Sequence, residues 1–236
     1  MHYFVHGDDA IRYLKKRDLA LGAAIEAIGP IRRQVEPDLY AALVHTIIGQ
    51  QISAKGAVTI RNRMREGLGA ITPESVDAAE AETIRKFGMS LRKAGYIKEI
   101  SRHVLEGSLD LAALRDLPDA EVCARLSAIR GLGVWTAEML MTFTMQRPDI
   151  LSWGDIAIHR GMRMLYRHKR VTRELFEKYR RRYSPYASVA SLYLWAVAGG
   201  AIEGVTDPAP MSDAQKKARA RKRARSARAA KKTEGQ

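Results

Sequence analysis

The chain has 236 residues, 46% of them hydrophobic, enough for one large domain or two small ones with a proper core. No stretch approaches the roughly 18 uninterrupted apolar residues of a membrane span, residues 1–10 lack the apolar segment of a secretory signal, and the single cysteine, Cys123, excludes intrachain disulfides and four-cysteine zinc or iron–sulfur sites. The formal net charge of +14 calls for a polyanionic partner, with a reducing intracellular setting expected. Apolar residues recur at spacings of three and four nearly throughout, which predicts an all-helical fold of about ten short helices. The first runs over 37–49 with Leu39, Leu43, Ile47 and Ile48 on its inner stripe. Ser53 is placed to cap the next, up to Glu66. Thr72-Pro73-Glu74 reads as an N-cap followed by proline at the first helical position, and Ser90 opens a longer helix that Gly107 closes. Pro118 begins another ending near Ile129, and further helices are expected over 136–145, 155–165, 172–182 and 186–197. No repeat of fixed period is present. Residues 211–236 hold ten Lys/Arg against two acids, a net +8 that leaves +6 for the rest of the chain. After Met211 this segment has no large apolar residue, so it is expected to be a disordered basic tail that either binds nucleic acid electrostatically or only aids solubility.

The sharpest local signal is Ile129-Arg130-Gly131-Leu132-Gly133-Val134-Trp135-Thr136-Ala137, between two helical patterns. Two glycines one residue apart let the backbone turn tightly and approach a partner without a Cβ in the way. Their N–H groups, with the positive end of the helix that follows, suit a phosphate. A plain helix-turn-helix corner would use the same glycines, but Leu132 between them fits a hairpin tip packed on its own helices.

This hairpin, followed by Leu151-Ser152-Trp153-Gly154-Asp155 and a helix containing His159-Arg160-Gly161, resembles the HhH-GPD superfamily of DNA repair glycosylases. Ile47-Ile48-Gly49-Gln50-Gln51-Ile52-Ser53 resembles the segment those enzymes push into DNA, and Tyr183-Ser184-Pro185-Tyr186 through Tyr193-Leu194-Trp195 is similar to the C-terminal helix of the alkyladenine (AlkA) branch. The resemblance implies two helical lobes in a domain over 1–210, one lobe about 40–134 with the hairpin at 129–137, the other 1–39 plus 135–210, and an active site in the cleft between them. The 36 residues before the first motif are too few for the extra N-terminal β-domain of larger relatives. Asp155 aligns with the family's catalytic aspartate. A carboxylate there either stabilises the positive charge that develops on the sugar or positions and deprotonates the attacking water; a residue at this position could also be an ordinary helix cap.

Relatives that also cleave the strand attack the sugar with a hairpin lysine. Here that position is Trp135, and an indole cannot form an imine, so hydrolysis to an abasic site without a lyase step is expected. The resemblance places Trp135 and Trp195 in an aromatic base pocket, with Met139 where the branch often has tyrosine and Trp153 adjoining. Such walls suit a cationic alkylated purine extruded from the duplex. Gln51 aligns with the intercalating residue, and Gln50, Ser53, Arg130, Gly131, Leu132, Gly133 and Thr136 complete the expected DNA contacts. The backbone carbonyls of Ser127, Ile129 and Leu132 align with a site for a monovalent cation, Na+ or K+; no cofactor is required and no iron–sulfur cluster is expected. The partner is duplex DNA containing a damaged base, met by a monomer in the cytoplasm or nucleoid without a membrane. Alternatives are a glycosylase for uracil, mismatched thymine or oxidised purine, a noncatalytic hairpin module for DNA binding, and a nucleoid or RNA-associated protein driven by the tail.

Overall fold

The computed structural model describes residues 2–209; the basic tail lies outside them. Among the described residues there are twelve α-helices: α1 (Asp8–Arg17), α2 (Leu19–Ile28), α3 (Leu39–Gly49), α4 (Ala54–Leu68), α5 (Pro73–Ala78), α6 (Ala81–Lys86), α7 (Leu91–Leu105), α8 (Asp119–Ser127), α9 (Val134–Phe143), α10 (Ile156–Tyr166), α11 (Arg173–Tyr183) and α12 (Ala187–Ala198). Two-residue strands β1 (His2–Tyr3) and β2 (Gln34–Val35) pair antiparallel, His2 opposite Val35. The all-helical expectation therefore holds apart from this minimal ribbon, which ties the N-terminus to the segment entering α3. Side-chain caps set several boundaries. Ser53 Oγ accepts from Gly56 N, Ser90 Oγ from Lys93 N and Thr172 Oγ1 from Leu175 N. Thr72 and Ser75 exchange bonds in a capping box ahead of Pro73.

Among the described residues two large hydrophobic cores result, with a small third cluster of Ala24, Met164 and Val197. The first is built by α3 to α9 around Leu43, Ile47, Met64, Ile84, Ile97, Ile100 and Leu126. The second gathers α1, α2, α10, α11 and α12 around Leu14, Leu21, Ile158, Phe176, Tyr183 and Leu194. The first core continues past Val134, where the lobe boundary is expected, because Ala137, Leu140 and Met141 of α9 and then Ile150 pack into it. Helix α9 thus carries the seam: its inner face belongs to the first core while Phe143 at its end packs on the second. In the second core α12 is apolar nearly all round and buried, as such a helix must be. Gly161 lets α10 lie against it so closely that a Cβ there would sit 2.2 Å from the Leu194 carbonyl oxygen. Asp18 caps α2 through Leu21 N and, buried, is paired with Arg182 of α11 at 2.7 Å, which fastens the N-terminal helices to the C-terminal ones.

Candidate active site

The hairpin between α8 and α9 closes with Leu132 N donating to the Ile129 carbonyl at 3.1 Å, and buried Leu132 anchors it to the first core. Gly131 has φ +87°, and a Cβ there would fall 2.4 Å from the Tyr96 ring, so this position is reserved for glycine on both counts. Gly133 is the N-cap of α9 and supplies no side chain to it, leaving the first turn's N–H groups uncovered; Val134 and Trp135 on that turn are exposed. The Arg130 guanidinium lies 5.9 Å from the Tyr96 ring centroid beside the turn.

Asp155 ends the loop that follows α9 and is the N-cap of α10. Its Oδ1 accepts from Ala157 N at 2.8 Å and Ile158 N at 3.0 Å, and its Oδ2 accepts from the Trp135 indole Nε1–H at 3.0 Å. The cap is thus made by a side chain that is 7% exposed yet lines the cavity between the two cores. The loop is itself held: the Ser152 hydroxyl donates to Glu138 of α9, and His159 Nε2 lies 2.8 Å from the Trp153 carbonyl while its ring stacks on Phe176. Burial pushes the Glu138 carboxyl up from the ordinary range, against the pull of the Ser152 hydroxyl.

The cavity measures about 910 Å³. Trp135, Met139 and Phe143 line it from positions four residues apart on α9, hence from one face of that helix. Trp195 of α12 meets Phe143 with ring centroids 5.3 Å apart, and Ile31, Leu192 and Ala196 complete the apolar wall. Gln50 and Gln51 line the side nearest the hairpin, and Arg33 places its guanidinium 4.9 Å over the Phe143 ring. Trp153 is not among these residues. The turn between Leu151 and Asp155 sends its indole to the opposite side, against Phe176 and His159 and under the Arg173 guanidinium, in a separate hollow behind Asp155. The expected third indole of the base pocket is therefore a packing residue, and the aromatic groups present are Trp135, Phe143 and Trp195.

The loop after α3 is tied to the hairpin. Gln50 Nε2 donates to the Gly131 carbonyl at 2.8 Å, and Lys93 Nζ donates to the carbonyls of Ile48 at 2.9 Å and Gln50 at 2.6 Å. Gln50 is thus a brace between loop and hairpin, while its neighbour Gln51 is exposed and at φ +58°. Ser53 spends its hydroxyl on the α4 cap, and Thr136, 4% exposed, packs between helices, so neither side chain presents itself to a phosphate as expected. Asp149 accepts from Ser184 Oγ at 2.6 Å and Ala187 N at 3.2 Å, the capping use its loop position suggests. Sequence reasoning missed Arg33, Ile31, Phe143 and Lys93 as parts of the site. Only Phe143 carries a signal, its place on the Trp135–Met139 stripe.

A glycine hairpin, a glutamine-bearing loop braced to it and a carboxylate facing an aromatic cavity define a protein of the base-everting, glycosyl-bond-cutting class. The chain belongs to the HhH-GPD superfamily of base excision DNA repair proteins, which it matches over residues 44–185. It is similar to DNA-3-methyladenine glycosylase 1 of Schizosaccharomyces pombe, 30% identical over 171 residues that cover 70% of this chain and 75% of the relative. Among solved structures it is similar to DNA-3-methyladenine glycosidase from Bacillus halodurans, with TM-score 0.76, 35% identity and coverage of 84% of this chain and 93% of that one. A structure of Schizosaccharomyces pombe 3-methyladenine DNA glycosylase in complex with abasic DNA matches with TM-score 0.70 and 28% identity, over 80% and 95% of the two chains.

Proposed function

We propose that this protein is a monofunctional DNA glycosylase that everts an alkylated base from duplex DNA and hydrolyses its N-glycosidic bond, leaving an abasic site. The observation that carries the reading is the Asp155 carboxylate, buried yet facing the cavity and held by three hydrogen bonds. Heterolysis of the C1′–N bond sends its electron pair to the base and positive charge to the sugar. A preset carboxylate offsets that charge without reorganising, and the attacking water's oxygen bonds to C1′ as its proton passes to the carboxylate and on to solvent. Trp135 at the hairpin position supports hydrolysis alone, since an indole offers no amine for a Schiff base.

DNA binding is assigned to the N–H groups of Gly131, Gly133 and the first turn of α9 on a phosphate, Arg130 on the flanking backbone, and Gln51 in the gap left by the everted nucleotide. The base stacks among Trp135, Met139, Phe143 and Trp195. The carbonyls of Ser127, Ile129 and Leu132 are a neutral oxygen set from one turn with no carboxylate among them, a donor set that fits a monovalent cation, which would add positive charge at the phosphate. The protein acts as a monomer on nucleoid DNA, and the basic tail adds affinity that salt removes.

The test is base release from duplexes carrying alkylated, deaminated or oxidised bases. Release from the alkylated duplex, with the strand left intact until the abasic site is cleaved by alkali, is the expected result. Release only of uracil or 8-oxoguanine, or strand cleavage by the protein itself, would overturn the reading.

A further inference from the structure

The cavity contains a positive charge that the aromatic-pocket reading does not use. The Arg33 guanidinium lines it from the segment before α3, 4.9 Å over the Phe143 ring, while its backbone carbonyl accepts from Phe4 N at 2.8 Å. Among the described residues it has no carboxylate partner, Asp155 included. Helix α9 sets the two charges toward opposite ends of the cavity. Asp155 is bonded to Trp135 in the first turn and Arg33 sits on Phe143 at the last residue, eight residues and about 12 Å further along the axis. A nucleobase and its sugar fit between, the sugar toward Asp155 and the outer edge of the base toward Arg33.

We infer that Arg33 receives the departing base, so that the two charges at opposite ends of the cavity align with the flow of electrons in the reaction. The inference rests on the glycosylase reading above. As the C1′–N bond breaks, the electron pair moves from the sugar to the base, away from Asp155 and toward Arg33. A neutral base leaves as an anion, which the guanidinium stabilises through charge and N–H donation to a carbonyl or ring nitrogen until it takes a proton from solvent. Arginine keeps its own protons throughout, so Arg33 is an electrostatic group and not a general acid. A cationic base leaves neutral. Beside Arg33 it is repelled in the bound state, and the repulsion fades as the bond breaks, so for such a base Arg33 weakens binding and speeds the bound-state step to the same degree, and the two effects cancel in release measured at limiting protein. The cavity is thus suited to neutral modified purines with an acceptor edge as well as to methylated cations, and the difference between them runs through this one side chain.

The experiment compares Arg33→Met and Arg33→Lys with the unaltered protein on duplexes bearing 7-methylguanine, a cation, and hypoxanthine or 1,N6-ethenoadenine, both neutral. Single-turnover release at limiting protein, which reports the rate constant divided by the dissociation constant, and substrate affinity are read for each. In R33M, release of the neutral bases is expected to fall by about tenfold or more, discounted from the hundredfold of a fully enclosed donor because Arg33 is exposed. At limiting protein, release of 7-methylguanine should change by less than about threefold, its tighter binding offset by a slower step from the bound state. R33K keeps the charge and should recover most of the neutral-base rate. Equal losses on both kinds of base, or an R33K variant no better than R33M, would overturn the inference while leaving the glycosylase reading intact. Failure of the unaltered protein to release any base would instead sink that reading.

Discussion

Replacing Asp155 by asparagine tests whether the indole and the carboxylate act as one unit. Asparagine is as good an N-cap as aspartate, so its amide oxygen can go on accepting from Ala157 N and Ile158 N. Its NH2 group then faces the Trp135 Nε1–H at the 3.0 Å separation where Oδ2 had accepted, and two donors meet. Flipping the amide repairs that contact but turns the NH2 group on the two backbone donors. Either way a hydrogen bond to a charged group is lost, about 1.5–3 kcal/mol in a closed setting. Trp135 is 43% exposed and water can reach it, which reduces this to about 1 kcal/mol. Losing the negative charge at the start of α10 adds about 0.5 kcal/mol. D155N should therefore lose about 1.5 kcal/mol, a fall in Tm of roughly 3–6 °C for a chain this size. W135F removes the stranded donor, so in the D155N background it should cost about 1 kcal/mol less than in the unaltered protein. Urea unfolding followed by far-ultraviolet circular dichroism gives the four stabilities without relying on tryptophan emission, which W135F alters. Additivity within about 0.3 kcal/mol would mean that the two side chains are not coupled, and the account of how Asp155 is held would fall.

Three further outcomes follow from the same geometry. Lys93→Met leaves the carbonyls of Ile48 and Gln50 without their donor, so the loop carrying Gln51 should loosen: single-turnover base release drops by roughly fivefold to tenfold while Tm falls by less than about 3 °C, and equal slowing of release from single-stranded substrate would refute a role in eversion. Gly161→Ala brings a Cβ to 2.2 Å from the Leu194 carbonyl oxygen, a backbone atom that cannot swing aside, and should cost about 2–4 kcal/mol in thermal unfolding. His45 is 18% exposed, and burial together with Arg61 and Arg65 holds it down to about 4, outweighing the opposing charge of Asp38. It folds neutral while the unfolded chain takes up a proton, so its contribution is complete above about pH 6.5 and is lost as pH falls toward 4; His45→Gln should flatten the acid loss of stability in that window, and an unchanged slope would contradict the assignment.

What the residues announced and what they concealed follow physical lines. Caps act locally, so Ser53, Thr72, Ser90 and Thr172 marked helix starts that the structure keeps to within a residue. Helices α1 and α2 carry no such clear start. Gly7 offers α1 no side-chain cap, and α2 is held by Asp18, whose burial depends on Arg182, 164 residues away. The hairpin glycines were legible because a positive φ and a close approach both demand glycine, whereas Asp155 by position alone reads as a helix cap and stood out through the resemblance of its surroundings to the family's motifs. Trp153 misled because nearness to Asp155 along the chain says nothing about direction in a turn. Arg33 was silent because its role arises where the segment before α3 meets the end of α9, a juxtaposition that only the tertiary fold creates.

Glycosidic cleavage by this fold depends on the Asp155 charge, and one measurement reaches it directly: single-turnover release of a methylated base from duplex DNA by D155N, with duplex affinity measured on the same preparation. Release should fall by a factor of roughly 100 or more, with affinity held or improved because an anion facing the phosphodiester backbone has gone. Undiminished release from a folded D155N protein would show that the glycosidic bond breaks without this carboxylate.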